Sequence, residues 1–250
     1  MTQRQQGPPA PASGRQVKAW CLYDFANSSF TTLTVTFIYS TYFATHFVEE
    51  GGTILWSWAI AASAVLIALL SPIAGAIADR GGHRLRFLAT ATAMAIGASV
   101  LLYFAAPGQV AMALTCFVVA NVAYEMGIVF YNAYLPDLAP PDQIGRISGY
   151  GWSLGYVGGL LAMALAWVGF IAPGDPWFGF TTEQGENVRA TNLLVAAWFA
   201  LFSLPLFIWM RDRHPAVRRD CDLMSGFADL AATLREIGRY REAAKFLLRK

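Results

Sequence analysis

Apolar residues in this chain come in long blocks, with charge confined to a few short breaks between them. No Asp, Glu, Lys or Arg occurs in 51–78, 87–124, 147–174 or 190–210. At 1.5 Å of rise per residue, roughly 20 apolar residues cross about 30 Å of hydrocarbon. The block 87–124 is too long for one such helix, and "AAPGQ" at 105–109 divides it. With the aromatic opening stretch, the pattern predicts six spans, at about 18–48, 54–78, 86–106, 109–135, 145–171 and 190–210. Six such helices in 250 residues cannot all hide in one soluble core. The expected fold class is an all-α membrane protein, a six-transmembrane-helix bundle over 18–210, with a disordered cytoplasmic tail at 1–17 and a cytoplasmic linker at 211–250.

The flanks differ from the bundle. "MTQRQQGPPAPASGRQVK" is polar and rich in Pro, Gly and Gln, without the apolar core of a signal peptide. In the linker, Phe227, Leu230, Leu234, Ile237 and Tyr240 recur every three or four residues, as on an amphipathic helix. Its basic residues suit an anionic inner membrane surface, and a linker helix lying against a neighbouring domain suits the pattern equally.

Charge sets the orientation. Of the 18 Lys and Arg, all but Arg189 fall on one side if the N-terminus is cytoplasmic. The positive-inside rule therefore puts both termini in the cytoplasm. Composition agrees: 56% of residues are hydrophobic and 14% charged, about half the charged share of soluble domains. Cys21, Cys116 and Cys221 are far apart with no ligand spacing, so no metal site or disulfide framework is expected. No phosphate-binding loop and no nucleophile arrangement occurs either, which argues against ATP-driven transport, a cofactor and an enzyme.

Two spans break the apolar pattern. In "WCLYDFANSSFTTLTVTFIYSTYFATHFV", Asp24, Asn27, Ser28, Thr31 and Thr34 share one helical face. In the fourth span Asn121, Glu125 and Asn132 do the same, flanked by Tyr124 and Tyr131. Lipid offers these groups no hydrogen bonds, and a carboxylate at mid-helix costs about 2.5–3.5 kcal/mol even on lenient scales. Such stripes must face each other or water. Asp24 and Glu125 are the acidic residues inside the spans, about 9 Å and 15 Å from the cytoplasmic side at 1.5 Å per residue. They are the expected proton-exchanging groups, Glu125 first, with Tyr23 and Asn27 beside Asp24 on the same path. In the fifth span Gly151, Gly155 and Gly159 form a small-residue ridge for close helix packing, and Pro205 in the sixth reads as a kink.

Between the second and third spans, "GAIADRGGHRLR" carries Gly75, Asp79, Arg80, Gly82 and Arg84. It resembles the signature loop of the major facilitator superfamily, G-x-x-x-D-[RK]-x-G-[RK]-[RK], with His83 at a position usually basic. "YDFANSSF" and "YNAYLPDLAPPDQIGRISGYGWSLGYVGG" resemble the branch of vacuole effluxers associated with autophagy and their bacterial relatives. The resemblance implies two six-helix bundles with a cavity between them, lined by the first and fourth helices of each half. It also implies a small polar solute, an amino acid among the candidates, a bacterial inner-membrane location and alternating access. Gly75, Asp79, Arg80, Gly82 and Arg84, with Asp137 and Arg146 of the next cytoplasmic loop, would form the inner gate.

A full member of that superfamily has a second bundle. The expected partners are therefore the lipid bilayer, a small-molecule substrate, and a second six-helix half or a second copy in a homodimer, but no nucleic acid. "AAKFLLRK" at the end turns apolar and stops, as a chain cut before its next span would. The rival reading is a transport-inactive scaffold or receptor-like protein with its polar stripes packed dry.

Overall fold

The structure is a computed structural model that describes residues 13–48, 50–79 and 83–212, without the side chains of 76–79. The expected linker helix, Cys221 and most of the expected tail lie outside these residues. Among the described residues the protein is helical throughout. Its elements are α1 (Gly14–Ser29), α2 (Tyr39–Tyr42), α3 (Gly52–Asp79), α4 (Arg84–Phe104), α5 (Val110–Asn132), α6 (Leu135–Leu138), α7 (Ile144–Ala166) and α8 (Glu186–Trp209).

Five helical stretches are long and apolar enough to cross a membrane: Gly52–Gly75, Arg84–Phe104, Val110–Leu138, Ile144–Ile171 and Glu183–Trp209. The expected first span is not among them, because it is not one regular α-helix. Its helical run continues from α1 through π-helical Phe30–Phe37, then α2, then π-helical Phe43–Phe47. The Ile38 amide, for instance, donates to the Leu33 carbonyl at 2.9 Å, five residues back. Two bonds tie the run to α4 and the turn after it: Tyr23 Oη and Thr92 Oγ1 share a hydrogen bond of 2.7 Å, and the Gly108 amide donates to the Phe47 carbonyl at the run's end.

The run also begins earlier than position 18. Ser13 and Gln16 form a reciprocal capping box: the Gln16 amide donates to Ser13 Oγ at 3.3 Å, and the Ser13 amide to Gln16 Oε1 at 3.1 Å. These bonds satisfy donors that a bare helix start leaves open. At α4 the capping group comes from far along the chain, since Asp212 accepts from the Leu85 amide at 3.3 Å.

The first run, α8, α4 and α5 form the centre, with α7 against α1 and α3 against α5. Trp20 and Tyr131 join α1 to α5 by parallel stacking at 4.4 Å, and each donates to the other's carbonyl at 3.1 Å. Against α8, Thr34 donates to Asn192 at 2.9 Å and Trp198 to the Phe25 carbonyl at 3.2 Å.

Glycine decides the approach of α7. A Cβ at Gly151 would stand 2.7 Å from the Trp20 ring, and one at Gly159 would stand 2.5 Å from Thr32 Oγ1. At Gly155 it would meet Ser28 Oγ at 2.8 Å, and at Gly158 it would run into the Phe25 carbonyl oxygen. Small residues let two backbones come this close, and the van der Waals contact then holds them without a hydrophobic driving force.

Gly158→Val should therefore push α7 off α1 and destabilise the bundle by about 1–3 kcal/mol or more, as overpacking does. Gly97→Ala on α4, where a Cβ meets nothing within 4 Å, should instead stabilise by about 0.5–1 kcal/mol. Thermal unfolding of the two detergent-solubilised variants checks both signs.

Candidate functional site

A cavity of about 330 Å³ lies between α1, α5 and α7. From α1 come Trp20, Asp24, Asn27 and Ser28; from α5 Tyr124, Glu125, Ile128, Tyr131 and Asn132; from α7 Ser148, Trp152, Gly155 and Tyr156. Helical spacing explains the first two sets. Asp24, Asn27 and Ser28 are three and four residues apart, as are Tyr124, Ile128, Tyr131 and Asn132, so each set sits on one side of its rod.

The two carboxylates stand on different walls, Asp24 on α1 and Glu125 on α5, both half-buried. Asn27 is 1% exposed and lies beside the Asp24 carboxylate, yet its amide nitrogen is out of hydrogen-bond geometry with any partner. Asn132, by contrast, is exposed. No Lys, Arg or His lines the cavity among the described residues.

Two residues expected on this path point elsewhere. Tyr23 is one position, about 100° of helix, away from Asp24. It is buried against α4 and α8, bonded to Thr92, stacked on Tyr131 at 5.0 Å and edge-on to Phe199 at 5.7 Å. Asn121 donates to Ser63 Oγ at 2.9 Å and so ties α5 to α3. The contribution of α7 goes beyond the glycine ridge expected from the sequence: Trp152 and Tyr156, at i, i+4 next to Gly151 and Gly155, also line the cavity, and that spacing is the sequence signal for it.

The expected gate residues divide. Arg84 Nη1 pairs with Asp137 Oδ2 at 2.8 Å, donates to the Ala133 carbonyl at 3.0 Å and lies over the Tyr134 ring. Tyr134 in turn donates to Asp212 at 2.6 Å, which joins the ends of α4, α5 and α8. Arg146 donates to Gln143 within α7's first turn at 3.0 Å. Gly75 lies within α3 and Asp79 ends it, while Arg80 and Gly82 fall outside the described residues. The cavity belongs to the same end of the bundle as the Arg84–Asp137 pair, since the last turns of α5 and the first turns of α7 line it.

At the opposite end, Glu186 accepts from the Thr181 hydroxyl at 2.7 Å and from Tyr103 at 2.9 Å. Arg189 donates to the Tyr103 carbonyl, and Tyr42 donates to the Gln184 carbonyl at 2.6 Å. A recess of about 470 Å³ there is lined by Tyr42, His46 and loop residues, with no carboxylate among them.

Among the described residues the protein is thus a multi-pass helical membrane bundle with carboxylates and amides facing a cavity toward one end. The sequence profile described as vacuole effluxer Atg22 like matches residues 53–249, and the chain belongs to that family, whose members are transporters and not enzymes. It is also 24% identical over 239 residues to the uncharacterized MFS-type transporter YxiO of Bacillus subtilis (strain 168). That match covers 94% of this chain and 55% of the relative, so the chain spans about half the relative's length.

Tyr23→Phe should lower stability by about 1 kcal/mol, through the lost bond to buried Thr92. It should leave aqueous labelling of a cysteine at position 132 unchanged, which a lining role for the Tyr23 hydroxyl would not. Thermal midpoints and labelling rates measured together check this.

Proposed function

We propose that this chain is the N-terminal half of a proton-coupled secondary transporter of small polar solutes. It works by alternating access in the cell (inner) membrane, with both termini cytoplasmic. One observation carries the reading: Asp24 and Glu125, the acidic residues of the predicted spans, line the same cavity from two different helices. Either carboxylate can take a proton from water in that space, and a solute entering from the other wall can displace it. Glu125 is the principal proton carrier, and Asp24 the second.

The first helical run is the sixth span of this half. It is interrupted by π-helical turns, but it packs along α8 and α7, two of the apolar spanning helices. The 55% coverage of the Bacillus relative supports a second half, from the same gene product, from a separate chain or from a second copy. The family's description as vacuole effluxer like favours efflux, and amino acids are among the solutes of this reading. The Arg84–Asp137 pair, with Tyr134 and Asp212, forms the inner gate. A transport-inactive scaffold would need its polar stripes packed dry. A cavity of about 330 Å³ with Asn132 exposed weighs against that.

Glu125→Gln in the full-length protein should abolish proton-coupled solute movement in proteoliposomes while solute binding or exchange survives. Unchanged pH-dependent uptake in that variant would refute the assignment. Cysteines placed at Asn132 and Asn27 should both react with a membrane-impermeant aqueous reagent, the first fast and the second slower because position 27 is buried. Two unreactive sites would support the scaffold.

A further inference from the structure

We propose that the cavity takes a small organic cation, its ammonium group held between the Asp24 and Glu125 carboxylates and against the aromatic faces of α7. The proposal rests on the transport reading above and names its substrate class.

Charge is the first ground. The cavity presents two carboxylates and no basic side chain among the described residues. In a low-dielectric setting a neutral or anionic solute would leave both without a counter-charge, whereas an amine supplies one. The recess at the other end, larger at about 470 Å³, has no carboxylate among the described residues that line it.

The aromatic surface is the second ground. The face of Trp20 is taken, because it stacks on Tyr131 at 4.4 Å and 7°. Trp152 and Tyr156 are 64% and 67% exposed and meet each other edge to face at 6.2 Å. Both line the cavity and leave most of their surface uncovered. A cation over an aromatic face gains roughly 0.5–2 kcal/mol, most with Trp, and paired rings beside a carboxylate form a site for ammonium groups.

The buried amide is the third. Asn27, 1% exposed, lines the cavity beside the Asp24 carboxylate, with its amide nitrogen outside hydrogen-bond geometry. Such a donor is costly to leave unmet, so it fits an oxygen carried by the same solute, a few bonds from its ammonium. An amino alcohol or a quaternary amine with a hydroxyl meets all three features.

The full-length protein, second half included, should bind tritiated choline in proteoliposomes. 3,3-Dimethylbutan-1-ol, the uncharged carbon isostere, should compete about tenfold more weakly or worse, and ethanolamine should compete well. Asp24→Asn and Glu125→Gln should erase the preference for the charged ligand. Trp152→Ala should weaken choline by about three- to tenfold, with Trp152→Phe restoring most of the loss. Trp152 is mostly exposed, so its removal leaves the bundle's packing intact. Equal competition by the neutral isostere overturns the proposal. So does absence of choline and ethanolamine binding while a neutral solute still moves in a Glu125-dependent, pH-driven way, and in that case the transport reading stands. Loss of both solute and proton flux in the wild-type protein removes the transport reading and this proposal together.

Discussion

Hydrocarbon gives a buried polar group nothing to bond with, and nearly every polar side chain in this bundle is placed by that constraint. Many serines and threonines bond back to a carbonyl of their own helix, as Ser29, Ser99 and Ser203 do, and others find a partner on a neighbouring helix. Thr34 bonds Asn192, Asn121 bonds Ser63, Tyr23 shares a proton with Thr92, and Trp198 reaches the Phe25 carbonyl. These bonds fix which helix neighbours which, because a polar group left unmet in an apolar surrounding costs several kcal/mol. Asp24, Glu125 and Asn27 are different. They face a cavity in which water or a solute can serve them, and the proposed function rests on that exception.

The first helical run is where packing and chemistry meet. Its α1 segment offers Phe25 and Ser28 to the glycines of α7, Trp20 to Tyr131 of α5, and Asp24 to the cavity, all within three turns. The π-helical stretch Phe30–Phe37 begins directly beyond. π-Helical turns recur at functional sites because the wider ring of bonds shifts which side chains share a face. Here the shift carries the run from a polar, cavity-lining section to the aromatic packing of Tyr39, Phe43 and Phe47 around Trp56 and Phe117.

The two ends of the bundle are tied by different means. Toward the cavity end, Arg84, Asp137, Tyr134 and Asp212 join α4, α5 and the end of α8 through charge-assisted bonds and a carboxylate at a helix start, where the helix dipole favours it. At the other end, Glu186, Tyr103, Arg189 and Tyr42 bind a loop to the first run and α4. Gly185, at φ +64°, lets that loop turn into α8 in a space where any side chain would strike the Tyr42 ring.

The sequence by itself determined the helical membrane class and the two polar stripes, since an apolar block or an i, i+3, i+4 pattern is local. The Ser13–Gln16 cap is equally local, an S-x-x-Q signal that starts the helix at Gly14, where the hydropathy pattern alone points to 18. A residue's angular position on its own rod can be counted from the sequence, but the neighbour at that angle cannot. Tyr23 and Asp24 are adjacent, yet one meets α4 and the other the cavity, because the rods flanking α1 differ on those sides. Asn121 lies one turn from Glu125, yet meets Ser63, since α3 crosses α5 at that level. Trp152 and Tyr156 line the cavity only because the glycines beside them, Gly151, Gly155, Gly158 and Gly159, draw α7 onto α1, and that depends on contact between two surfaces more than a hundred residues apart.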